Sequence, residues 1–237
     1  PSLVLGAPLT TSLPAQASVP FPRGAVEDIH ACRVVGPSGA DCLCQGRPLL
    51  RGPDGSIKWA LVVFDPRGET GQFELIPTES NGFYHSPLAT ELEGHVVVDT
   101  GRIRFSVPKQ LAENVDERSE GFLTDLSLLD GDEAIPLTAP GLDAGLVITE
   151  SDGAVYSTQK AGPDFVPTRA PGMDDAGVSI VENGPVRCRV RLGVKCCRDN
   201  YRVSLDAVLV AEAYLGSGVL RLRIAWRHGR DGNERYA

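Results

Sequence analysis

The sequence predicts an all-β fold: a closed or nearly closed antiparallel β-barrel with hairpin excursions and little helix. Three observations carry that expectation. Glycine (26) and proline (18) are abundant for 237 residues, which suits short strands joined by tight turns. Apolar residues recur with the two-residue period of a strand, as in Ile103-Arg-Phe-Ser-Val107, and long runs with the period of a helix are scarce. Turn-forming pairs such as Asp54-Gly55, Asp130-Gly131 and Asp152-Gly153 separate these runs. About a dozen strands so spaced point to an antiparallel barrel.

Residues 1–18 read as a polar, proline-punctuated extended arm that can begin with a strand at Leu3-Val4-Leu5. Val19-Pro-Phe-Pro-Arg-Gly24 follows, and its prolines cannot donate to a ladder, so an edge segment or loop is expected. The next strands are 31–35 and 56–65. Ahead of the second, Pro53-Asp-Gly55 is a turn with a mechanism, because proline fixes one dihedral and glycine accepts a positive one. Residues 72–76 are expected to pair back on 57–64, and 82–89 are irregular. Residues 96–99 and 103–107 form a second hairpin, with Ile103, Phe105 and Val107 inward and Arg102, Arg104 and Ser106 outward. The charged stretch 109–121 reads as a loop or one helical turn. Residues 123–129 and 134–137 flank Asp130-Gly131, and 146–149 and 155–157 flank Asp152-Gly153. A proline- and glycine-rich loop covers 162–175. Three long strands follow at 185–196, 201–214 and 219–226.

At this length one core is the default, so 19–237 is expected to be a single barrel domain behind the arm, taken from a larger protein. An apolar share of 42% with 23% charged residues supports a packed core rather than disorder. A formal net charge of −8 argues against nucleic acid as a partner. No run approaches the roughly 18 apolar residues that a membrane-spanning helix needs. Six cysteines, Cys32, Cys42, Cys44, Cys188, Cys196 and Cys197, are disulfide candidates whose pairing the sequence leaves open. Cys188 alternates with Val186, Val190 and Leu192, which suits a small buried residue. A bridge from Cys32 to Cys42 or Cys44 fits a secreted chain.

The candidate binding surface is basic. Arg187, Arg189 and Arg191 share one face of their strand; Arg221 and Arg223 share another, with Arg227 beyond them, and Arg102 and Arg104 form a smaller pair. Side by side, such strands would make a guanidinium ladder suited to bidentate carboxylate binding, as on galacturonate units. The blander alternative is a solvated face balanced by the 31 acidic residues. His30-Ala-Cys32 with Cys42-Leu-Cys44 offers four ligands, but the spacing is tighter than in zinc knuckles, so no metal and no cofactor is assigned. No carboxylate pair or nucleophile elbow stands out, and no catalytic residue is named. Asp54, Asp65 and Asp99 sit at turns or strand ends, where aspartate bonds the backbone. His30, His85, His95 and His228 are scattered and read as surface residues. Trp59 alternates with Ile57 and Leu61, and Trp226 with Leu222 and Ile224, so both indoles are expected in the core. Phe83 and Tyr84, in an irregular stretch, are the candidate aromatic contact.

Five ordered phrases, at 19–24, 53–60, 98–107, 182–191 and 214–226, resemble the N-terminal riboflavin-synthase-like (RIFT) β-barrel domain of exo-acting rhamnogalacturonan lyases and related polysaccharide-lyase-like proteins. In that family the barrel precedes a helical-toroid domain, which carries most of the lyase activity, and a further β domain. The resemblance implies a non-catalytic, extracellular or cell-envelope barrel that braces a following catalytic domain and contacts acidic polysaccharide. The Cys196-Cys197 pair and Cys42-Leu-Cys44 depart from the family pattern. Two other classes of function remain open: a structural subunit of an extracellular assembly, whose arm adds a strand to another copy of the chain, and an independent carbohydrate-binding module using the arginine face.

Overall fold

The structure, a computed structural model, describes residues 2–5, 13–78, 86–109, 122–131, 133–137, 147–149, 155–157, 178–197 and 204–229. The chain divides into two compact units. The first holds Pro1–Leu88, Asn183–Cys188 and Tyr214–Ser217; the second holds Ala89–Glu182, Arg189–Ala213 and Gly218–Ala237.

Unit 1 contains β1 (Ser2–Leu5), β2 (Ala15–Pro20), one 3₁₀ turn (Ile29–Ala31), β3 (Cys32–Val35), β4 (Asp41–Cys42), β5 (Cys44–Arg51), β6 (Ile57–Phe64) and β7 (Gly71–Pro77). They form two antiparallel sheets, ordered β1-β7-β3-β4 and β2-β6-β5. The expected turn between β5 and β6 is present: Gly55 has φ 82°, and its N–H donates to the Gly52 carbonyl at 3.0 Å. The expected pairing of β7 on β6 is not. At the turn between them Arg67 and Gly68 both take positive φ, 51° and 77°, while Asp65 Oδ1 accepts from Arg67 N–H at 2.9 Å. The chain there leaves the β6 sheet, and β7 pairs with β3 and β1 instead. The amino-terminal segment adds β1 to this unit's own sheet, with Leu3 opposite Phe73.

Alternation puts one apolar face of each sheet into a shared core. Val19, Ile57, Ala60, Val62 and Phe64 come from one sheet, and Cys32, Val34, Phe73 and Leu75 from the other. The Phe64 and Phe73 rings meet at 5.0 Å with a 49° tilt, the offset geometry aromatic quadrupoles favour. Burying each large apolar side chain contributes about 1.5–3 kcal/mol.

The rest of the chain supplies β8 (Ala89–Glu91), β9 (His95–Asp99), β10 (Ile103–Pro108), β11 (Thr124–Asp130) and β12 (Glu133–Pro136). It continues with β13 (Val147–Thr149), β14 (Val155–Ser157), β15 (Val178–Asn183), β16 (Arg187–Cys197), β17 (Ser204–Tyr214) and β18 (Leu220–Gly229). The first five make a meander ordered β12-β11-β10-β9-β8, and the others a sheet ordered β13-β14-β16-β17-β18 with β15 also on β16. The fold is therefore all-β and antiparallel, as the sequence predicts. Among the described residues no sheet closes on itself and the 3₁₀ turn is the sole helical element. The β9–β10 hairpin forms as expected, with Ile103, Phe105 and Val107 buried. Ser106, expected outward, is buried too, where the β10–β11 register slips between Arg104 and Ser106. The stretches 110–121 and 162–175 lie outside the described residues, as do Phe83 and Tyr84.

Candidate functional site

The turn aspartates are architectural. Asp54 Oδ1 accepts from the Ser56 hydroxyl at 2.7 Å and from Ser56 N–H at 3.2 Å, and Asp54 Oδ2 accepts from Arg23 Nε at 2.9 Å. The Ser56 hydroxyl, then Arg23, hold its carboxyl below the usual carboxylate range. Asp99 Oδ1 accepts from Gly101 N–H at 2.8 Å, the same role in the next hairpin.

The expected cysteine bridge is corrected. Cys32, Cys42, Cys44 and Cys188 are buried free thiols. The ladder explains it: Cys42 lies opposite Val34 on β3, and the chain leaves that sheet at Leu43, so Cys44 pairs with Phe64 in the other sheet. Burial pushes the Cys44 thiol up to about 12, so it stays protonated and unreactive at neutral pH. The side chains of Cys196 and Cys197 lie outside the described residues. Among the described residues no group of three or more His, Cys, Asp or Glu side chains comes together to hold a metal.

Arg187 is corrected as well, because it is a buried residue of unit 1 rather than part of a solvated stripe. The short turn before β16 folds over β5, and the Gln45 amide pins it there. Gln45 Oε1 accepts from Val186 N–H at 3.0 Å and Arg187 N–H at 2.8 Å, while Gln45 Nε2 donates to the Arg187 carbonyl at 3.0 Å. The Arg187 guanidinium in turn donates to Gln16 Oε1 on β2 at 2.6 Å. A Cβ at Gly184 would overlap the Gln45 amide, which is why glycine opens this turn.

Trp59 reverses the opposite way. Expected in the core, it is 39% exposed. Alternation with the inward Ala60, Val62 and Phe64 puts it on the outer face, and two compensating bulges turn Ile57 the other way. On β5 the register steps from Pro48 opposite Ala60 to Leu50 opposite Trp59, leaving Leu49 extra; it then steps to Arg51 opposite Ile57, leaving Lys58 extra on β6. Ile57 and Ala60 therefore both point inward, and Lys58 and Trp59 between them are both exposed. Across the outer face Trp59 sits between Pro20 on β2 and Leu50 on β5, and the next row holds Ser18, Leu61 and Arg47. All of these except the half-buried Leu61 are exposed. Pro48 inside an edge strand is the one sequence signal of such an irregularity.

Among the described residues of unit 2 the other candidate arginines differ in burial and partners. Arg189 lies 3.9 Å from Glu182, and its Nε is buried without an acceptor among the described residues. Arg191 is half-buried. On β18, Arg221 and Arg223 are exposed; Arg223 lies 3.5 Å from the buried Glu212, which is itself opposite Arg221 on the ladder. Strands β16 and β18 flank β17, so these arginines sit on two strands one apart in a single sheet. Leu222 and Ile224, expected inside, are 38% and 37% exposed. The side chain of Trp226 lies outside the described residues.

No family model matches the chain, and no curated protein is detectably similar to it. Among solved structures, an α-mannosidase from Enterococcus faecalis V583 is similar at a TM-score of 0.41 and 14% identity, over 94% of this chain and 29% of that one. The chain thus spans less than a third of that protein's length. A likeness at that score carries no argument about the site or activity here.

Proposed function

We propose that the chain is a non-catalytic β domain of a secreted, polysaccharide-lyase-like protein, which braces a catalytic domain and contacts acidic glycan through Arg221 and Arg223 of β18. The observation that supports this reading is the pair Arg221 and Arg223. Both are exposed on β18, Arg223 has only the 3.5 Å contact to Glu212, and Arg221 has no carboxylate within 4.0 Å among the described residues. Guanidinium groups held on a strand can meet planar carboxylates in bidentate fashion. The resemblance of the ordered sequence phrases to rhamnogalacturonan lyase barrels is the support for a lyase-like parent protein.

Binding of galacturonate oligosaccharide, followed by calorimetry in low salt, tests this reading. Arg221→Gln with Arg223→Gln is expected to lower affinity severalfold and to flatten its salt dependence, because two screened cations are lost. Unchanged affinity in the double variant, or no binding by the parent, would make the arginines a solvated face.

A structural subunit is the second reading, favoured by the two sheet ends. The outer strand β12 is four residues long and carries Pro136, whereas β18 runs for ten residues without proline and pairs with β17 among the described strands. An edge so unprotected can accept a further strand.

A further inference from the structure

We propose that the outer face of the β2-β6-β5 sheet around Trp59 is a binding site for an acidic saccharide, whose ring stacks on the indole and whose carboxylate is met by Lys58 and Arg47. The proposal rests on the preceding reading for the ligand class, but places a site in unit 1 and on different residues.

A tryptophan that is 39% exposed forgoes part of the burial term that the adjacent core offered, and strand alternation with the inward Ala60, Val62 and Phe64 aims the indole outward. The bulges at Leu49 and Lys58 turn Ile57 into the core, so Trp59 keeps the outer face of its strand without an aliphatic neighbour at 57. The neighbours leave the ring accessible. Pro20 and Leu50, its partners on β2 and β5, stand about 4.8 Å to either side, so the three make a low apolar row of the width of a pyranose. The row holding Ser18 and Arg47 lies two residues, about 7 Å, along the strands, within reach of the substituents of a stacked sugar.

Charge selects the kind of sugar. Lys58 and Arg47 are exposed, and neither has a carboxylate within 4.0 Å among the described residues. Two exposed cations beside the indole, with no ion-pair partner among the described residues, favour a uronic acid over a neutral ring. A protein partner fits less well, since a stable interface takes about 20–30 residues a side and this apolar row is narrow and bordered by Ser18, Arg47 and Lys58.

The test uses the full chain with Trp226→Phe, so that Trp59 alone reports, titrated with galacturonic acid trisaccharide and with a neutral galactose trisaccharide. A saturable change in tryptophan emission is expected with the acidic sugar. Trp59→Ala, followed by calorimetry, should weaken binding about tenfold, the loss of one stacking partner. Trp59→Phe should recover part of it. Arg47→Gln with Lys58→Gln should weaken binding of the acidic trisaccharide and not of the neutral one. An emission that does not respond, or equal binding by parent and Trp59→Ala, overturns the site. So does self-association that Trp59→Ala abolishes when no sugar response is seen, because the face would then be a contact between copies. Arg221→Gln with Arg223→Gln separates the two ideas. If that variant abolishes binding while Trp59 stays silent, the arginine surface stands and this site falls; a Trp59 response that the variant leaves untouched has the reverse meaning.

Discussion

Two ends of one sheet face in unit 1 have opposite fates. At one end Gln16, Val63 and Gln45 lie in register across β2, β6 and β5, and at the other Pro20, Trp59 and Leu50 do. The first end is covered: Val63 is 2% exposed and Gln45 holds the turn from residue 184 to 187 against it. The second is bare. Val63, buried, and Trp59, which is not, stand only four positions apart on β6. Alternation decides which face of a sheet a residue points to, but only what crosses that face decides whether it is wet.

The largest expected effect probes the inner side of β5, where the two ends share a core. Cys44 has its pKa pushed from 9.0 to about 12 in the folded chain, mainly by burial. A folded-state pKa above the unfolded one gives stability that is complete below pH 9 and lost as pH rises toward 12, on the order of 4 kcal/mol if Cys44 acts alone. Urea denaturation between pH 8 and 11 should therefore show a fall in stability that Cys44→Ala makes shallower. An equal slope in both proteins would mean that Cys44 carries no such linkage.

The covered end should be the next most sensitive. Gln45→Ala strands the N–H groups of Val186 and Arg187 in a buried setting, at a cost of about 3 kcal/mol. Chemical denaturation measures it, and a loss below about 0.5 kcal/mol would show that the turn does not depend on Gln45.

The bare end should be the least sensitive. Trp59→Ala removes a side chain that is 39% exposed, and is expected to cost about 1–2 kcal/mol, less than Gln45→Ala. A loss several times larger would make Trp59 a packing residue and would break the contrast between the two ends.

Much of the fold was legible locally. The turns at Asp54-Gly55, Asp99–Gly101 and Asp130-Gly131 could be placed because their chemistry is complete within a few residues: an aspartate oxygen to accept an N–H, or a glycine at positive φ. The long strands β16, β17 and β18 were equally readable from alternation. The misreadings fell where the answer was not local. Arg187 alternates with Val186 and Cys188 as an outward residue should, yet its burial follows from contacts with Gln16 and Gln45, more than 140 residues away in the chain. Trp59 alternates with Ile57 as a core residue should, yet a register step against β5 turns the two apart.

The sequence by itself determined the all-β antiparallel class, the turn positions and most strand boundaries, because dihedral preference and two-residue periodicity act over a few neighbouring residues. Only the tertiary structure decided that β7 leaves the β6 sheet, that four cysteines stay as buried thiols, that Arg187 lies inside and that Trp59 lies outside. Each of these depends on which distant strand arrives alongside and in what register. That choice balances burial and hydrogen bonding over the whole unit, and no short stretch of sequence encodes it.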